Sequence, residues 1–184
     1  MKKKQILSIL TGTALVLSLA ACGTEANSST SLPASEATEA VTETAASVTN
    51  AQTTFTFTDS GITAEGSSDG YECEGTALTI EAAGTYLLSG SCADGSVKVK
   101  KGTTGVTLIL SGLDLTSSDT APIACNKSSE VTIVAAAGTE NTLTDAAENN
   151  DDNYPDNENA ENAVIKCKDG STVTLCGSGT LTLN

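Results

Sequence analysis

Residues 145–162, DAAENNDDNYPDNENAEN, hold the densest chemistry in the chain. Seven carboxylates and six Asn side chains fall in this stretch, and it has no hydrophobic period. Calcium takes about six to eight oxygen ligands from carboxylates, amide oxygens and carbonyls, which this composition can supply. Asp145, Asp151, Asp152, Asp156 and Glu158 are the candidate metal ligands. Asp151-Asp152-Asn153 and Asp156-Asn157-Glu158 would close around one ion. The match to a helix-loop-helix calcium loop is poor, because no Gly stands at the sharp turn. The competing reading is a solvated acidic loop whose like charges repel one another. Tyr154 is the one aromatic in the segment and the candidate carbohydrate contact.

The remaining chemistry is narrow. The chain has 184 residues, nine Lys, no Arg, no His and a net charge of −14. Without His or Arg there is no imidazole base or zinc ligand and no guanidinium fork for carboxylate or phosphate. So negative a surface repels nucleic acid, and an acidic polymer would need a bridging cation or a local positive patch. Lys98, Lys100, Lys101, Lys127, Lys166 and Lys168 are the candidates for such a patch, or for the base of a calcium-assisted lyase. Alternation makes solubilising lysines on outward strand faces the simpler reading. Asp169 sits in KDGS, which is ordinary turn chemistry. Asp114 and Asp119 lie where GLDLTSSDT is expected to bend.

These residues need elements to position them. Met1–Gly23 carries three Lys, an interrupted apolar run and then small residues, which reads as a signal for secretion. Leu19-Ala20-Ala21-Cys22-Gly23 resembles the lipobox of bacterial lipoproteins. That resemblance implies cleavage before Cys22, lipid on Cys22 and a protein anchored at the outer side of the bacterial membrane. An ordinary signal peptide that contains a Cys is the alternative. Residues 1–21 are thus the signal and 22–53 a flexible Ser/Thr/Ala/Glu-rich tether, too poor in large apolar groups to fold alone. A helix through TEAVTETAA would find no second apolar face.

From residue 54 to 184, short alternating runs separated by Gly, Asp, Asn and Ser predict an all-β domain. VTLILSG starts at Val106, VTIVAAAG at Val131 and VTLCGSG at Val173, spacings of 25 and 42 residues. The second exceeds the first by 17 residues, the length of the acidic stretch Asp145–Glu161. SVKVKK, PIACNK and VIKCKD repeat in step, and GTYLLSG resembles a shorter, earlier copy. The repeat predicts a solenoid of about four stacked coils, in which equivalent residues form ladders. Val97/Val99, Ile123/Cys125 and Ile165/Cys167 make one ladder. Val106/Leu108/Leu110, Val131/Ile133/Ala135 and Val173/Leu175 make another. An antiparallel sandwich is the competing architecture. The pattern stops at GSGTLTLN without a cap, which predicts a longer protein of which this is an N-terminal portion.

Residues 55–184 resemble a family of secreted bacterial carbohydrate-binding domains. AGTYLLSGSCADGSVKVK, VTLILSGLDLTSSDTAPIACNKSSEVTI, GTENTLTD, the acidic insertion and KDGSTVTLCGSGTLTLN carry the likeness. The resemblance implies a right-handed parallel β-helix like that of pectate lyases. It also implies binding of plant-type or acidic polysaccharide with calcium, without catalysis. A calcium-dependent lyase on uronic-acid polymers and a structural adhesin with no glycan ligand are the alternatives. The Cys at strand positions and the final VTLC depart from the family pattern. Cys73, Cys92, Cys125, Cys167 and Cys176 follow Cys22 in a compartment that permits disulfides. Cys125 with Cys167, and Cys73 with Cys92, are the pairs the ladders allow; buried thiols are the other reading.

Overall fold

The computed structural model describes residues 50–147 and 163–184, all within one compact unit, Ala40–Asn184. Strands and turns make up the described residues, with no helix among them. In order they are β1 (Thr53–Thr58), β2 (Gly61–Gly66), β3 (Tyr71–Glu74), β4 (Ala77–Ile80), β5 (Gly84–Cys92), β6 (Ser96–Val99) and β7 (Val106–Ser117). There follow β8 (Ile123–Cys125), β9 (Glu130–Ala135), β10 (Glu140–Asp145), β11 (Ile165–Cys167), β12 (Thr172–Gly177) and β13 (Thr180–Leu183).

Two sheets share the core. The larger runs β12-β9-β7-β5-β1-β2, with β10 joining the second half of β7 and β13 joining β10. The smaller runs β11-β8-β6-β4-β3. Every pairing is parallel except two hairpins, β1–β2 and β3–β4. The predicted ladders form in register. Val97, Ile123 and Ile165 align across β6, β8 and β11, as do Val99, Cys125 and Cys167. Val106, Val131 and Val173 align across β7, β9 and β12, as do Leu108, Ile133 and Leu175. GTYLL adds the earlier copy, with Gly84 opposite Val106.

Alternation dictates what these ladders bury. In β7 the pattern puts Val106, Leu108 and Leu110 in the core beside Tyr86, Leu88, Val131 and Ile133. Ile80, Val99 and Cys125 face them from the smaller sheet. A fully buried aliphatic side chain contributes about 1.5–3 kcal/mol, so equivalent residues repeated along a column hold the stack.

The bend in β7 falls at the first residue of GLDLTSSDT, within the stretch expected to bend. Gly112 adopts φ 74°, and the register with β5 slips between Leu88 and Gly90. Beyond the bulge, Leu113–Ser117 continues as strand and takes β10 as neighbour. Asn141, 1 % exposed, holds this corner. Its Oδ1 accepts hydrogen bonds from Gly112 N (2.9 Å) and Leu113 N (3.0 Å). Its Nδ2 donates to Thr139 Oγ1 (3.0 Å) and Thr180 O (3.1 Å). One amide thus satisfies both strands of the corner, as a buried polar group requires.

A second corner repeats as a turn. Thr103 N bonds Lys100 O, Ser129 N bonds Asn126 O and Ser171 N bonds Lys168 O. Gly102, Ser128 and Gly170 occupy the left-handed position, with φ of 77°, 61° and 74°. Asp169 lies in the last of these turns, as its KDGS setting predicts, and its Oδ2 pairs with Lys127 Nζ at 2.9 Å.

Candidate functional site

Cys22, Tyr154, Asp151, Asp152, Asp156 and Glu158 lie outside the described residues. Of the predicted site, only Asp145 is placed. It ends β10, half-buried and in register with Ser117. Its backbone N–H donates to Asn184 O at 3.0 Å. The Ser117 hydroxyl is buried and makes no hydrogen bond. Among the described residues no group of three or more His, Cys, Asp or Glu is placed to hold a metal. One carboxylate and one hydroxyl fall well short of calcium's coordination number, so the described residues alone do not form that site.

The lysines divide. Lys100 Nζ pairs with Glu81 Oε1 at 2.7 Å, and Lys127 with Asp169. The hydrogen bond and the charge of Glu81 raise the Lys100 pKa, the wrong direction for a general base. Lys166 breaks the expectation of outward, solvated lysines: it is 5 % exposed, although it aligns with Ala124 on the outer side of the smaller sheet.

The cysteines among the described residues are thiols. Cys73 is an exposed edge residue, Cys92 is buried in the core, and they are not joined. Cys125 and Cys167 stand opposite one another, as the ladder predicts, but each remains a free thiol. Burial, with a smaller contribution from Cys167, pushes the Cys125 thiol up to about 12. A thiol so shifted is inert as a nucleophile near neutrality.

Aromatic sugar platforms are absent among the described residues. Phe55, Phe57 and Tyr86 are buried, and Tyr71 meets Phe55 edge-on with ring centroids 4.7 Å apart.

A surface that the sequence reading passed over lies on the outer face of the larger sheet. Side chains between the core positions of β5, β7, β9 and β12 form two straight columns. Thr85, Thr107, Thr132 and Thr174 align as the first. Thr54, Leu87, Ile109, Val134 and Cys176 align as the second. Ile109, Val134 and Ala136 are buried and form an apolar cluster separate from the main core. A groove of about 260 Å³ is lined by Asn50, Thr85, Thr107, Ile109 and Val134. None of these five is charged. Its signal in the sequence was the recurrent Thr at the second place of GTYLL, VTLIL, VTIVA and VTLCG.

A carbohydrate-binding domain-containing protein of Acetivibrio thermocellus is 34 % identical over 121 residues, which is 63 % of this chain and 40 % of the relative. The matched region thus spans less than half of that relative's length. No solved structure matches. The family model described as carbohydrate-binding domain-containing protein matches residues 74–184, most of the described β-structure, and the chain belongs to that family.

Proposed function

We propose that this protein binds polysaccharide without transforming it, and that it does so at the bacterial surface. The family match over residues 74–184 is the observation that carries the reading. The raised pKa of Lys100 and the Lys127–Asp169 ion pair support binding over a lysine-based lyase.

The finer parts of the proposal rest on the sequence and on the described strands. Parallel columns recurring through β5, β7, β9 and β12 support a right-handed parallel β-helix, and the match to its repeat supports the same architecture. Asp145 at the end of β10 would join carboxylates and amides of residues 148–162 around calcium, which would bridge the protein to acidic sugar groups. Residues 1–21 would direct export, lipid on Cys22 would anchor the chain, and residues 22–53 would tether the domain.

The test is a glycan array probed with the full chain, with and without a chelator, beside an ultraviolet assay for unsaturated product from polygalacturonate. Retention of glycan, loss of the acidic glycans on chelation and no unsaturated product are expected. Retention of no glycan would sink the binding reading. Unsaturated product would replace it with the lyase.

A further inference from the structure

We infer that residues 40–49 of this chain lie across the outer face of the larger sheet, over Ile109 and Val134, as a strap that belongs to the domain. This goes beyond the carbohydrate-binding reading and does not depend on it.

Three observations carry it. First, Ile109 and Val134 alternate with the core positions Leu108, Leu110 and Ile133, and so face outward, yet they are only 1 % and 7 % exposed. Flanking strands shield an outward side chain from the sides but not from above. In the same column Leu87 is half-buried and Cys176 exposed, so the cover is centred on β7 and β9. Second, the chain heads there. Gln52 N–H bonds Thr85 O at 2.8 Å, alongside β5, while Asn50 shares a groove with Thr107, Ile109 and Val134 of β7 and β9. The compact unit that holds both sheets begins at Ala40, ten residues before Asn50. Third, the composition fits. AVTETAASVT, residues 40–49, has two Val, three Ala and one charge, Glu43. Residues 24–39 carry three carboxylates and one large aliphatic, Leu32. Small apolar side chains can cover a flat apolar strip, whereas carboxylates would lose their hydration there. The free tether is then residues 22–39 rather than 22–53, and its fully extended reach falls from about 110 Å to about 60 Å.

The experiment is limited proteolysis of the full chain with a glutamate-specific endopeptidase, read by mass spectrometry. Each rate is taken relative to the same bond in a synthetic peptide of residues 23–53. Glu36 lies outside the strap and Glu43 within it, so one digestion carries its own control. Cleavage after Glu43 should be slowed about tenfold or more relative to Glu36. Val41→Asp/Val48→Asp should raise the Glu43 rate to that of Glu36. Neither residue belongs to a strand of the sheets, so this variant should keep its fold; circular dichroism checks it. In methyl-labelled protein, Overhauser contacts from Val41 or Val48 to Ile109 or Val134 should be present in wild type. Equal cleavage at Glu36 and Glu43 in wild type would overturn the strap. So would protection that survives Val41→Asp/Val48→Asp. Protection that vanishes on dilution would also overturn it, by assigning the cover to a second copy of the chain.

Discussion

At one end of each sheet the last parallel strand turns back as an antiparallel hairpin: β1–β2 on the larger sheet, β3–β4 on the smaller. At the other end, among the described residues, β11, β12 and β13 are each paired on one side only. The inner columns feel the difference. Phe55, at the hairpin end, is 0 % exposed and packed by Tyr71 and Tyr86. Leu175 extends the column of Leu108 and Ile133 yet is 54 % exposed, and Leu183 extends that of Leu115 and Leu143 at 47 %. Identical register does not confer identical burial. Along these inner apolar columns full burial goes with a paired strand on both sides, so losing a side chain should cost more in the middle of a column than at its end.

The contrast is broken most severely at the closed end. Phe55→Ala removes a buried ring from beneath two others and should cost about 3–5 kcal/mol. Denaturant unfolding followed by far-ultraviolet circular dichroism reads it. A cost below about 1 kcal/mol would mean that the hairpin end is not the anchored one.

Asn141→Ala should come next. Asn141 links the β7 bulge to Thr180 of β13, and so ties an open-end strand to the body. Its loss strands the buried Leu113 N–H, which costs about 1–3 kcal/mol when unsatisfied, and removes the partner of the part-buried Gly112 N–H. A loss of about 2–4 kcal/mol is expected, and faster amide exchange in β13 than in β1 would locate it. Equal exchange at both ends would break the assignment of Asn141 as the tie.

The open end should also show itself in alkali. Cys125 sits next to last in the column Ile80–Val99–Cys125–Cys167. Its pKa is raised from 9.0 to about 12, chiefly by burial. The folded state thus keeps the proton while the unfolded state releases it, so the contribution to stability is whole below pH 9 and drains as pH rises towards 12. Tyr86, at the closed end, shifts upward from 10.0 by burial and should add its share later. Thermal scans across this range should fall less steeply in Cys125→Val, which fills the column without titrating. A parallel decline in both proteins would remove Cys125 as the source.

Legibility followed burial too. The inner ladders could be read because apolar residues alternate and the motifs recur at fixed spacing. Even the 17-residue excess between Val131 and Val173 fell out of that arithmetic. β2 and β3 could not be read, because GITAEG and YECE are edge strands with little buried surface and carry almost no hydrophobic alternation. The β7 bulge turns on one positive-φ glycine and an asparagine 29 residues away, a pairing no local pattern reveals. As for the candidate site, composition singled out Asp145, while the threonine column was hidden in the polar half of strands being read for their apolar half.

A smaller effect, of opposite sign, belongs to the middle of the stack. Ser128 takes φ 61° at the place where Gly102 and Gly170 sit in the turns on either side. A side chain there costs about 1–2 kcal/mol against glycine, partly offset by glycine's greater unfolded entropy. Ser128→Gly should therefore stabilise by about 0.5–1 kcal/mol, a rise of a few degrees in melting temperature. Destabilisation would show that the Ser128 side chain makes up its strain through contacts with the neighbouring turns.

The smallest effect should be at Leu175, and it tests the comparison most directly because the column carries its own control. Leu175 and Ile133 share register and face, and differ in having a further neighbour. Ile133→Ala leaves a cavity on β9, between its paired neighbours β7 and β12, and should cost about 2–5 kcal/mol. Leu175→Ala removes atoms that are already about half in water, so area lost at ~25 cal/mol per Å² gives about 1 kcal/mol or less. The ratio of the two costs, measured in one denaturant series, reads how far the open end is covered in solution. A Leu175 cost equal to that of Ile133 at high protein concentration, falling on dilution, would mean that a second copy of the chain covers Leu175. An exposed strand edge with an apolar face is suited to that role.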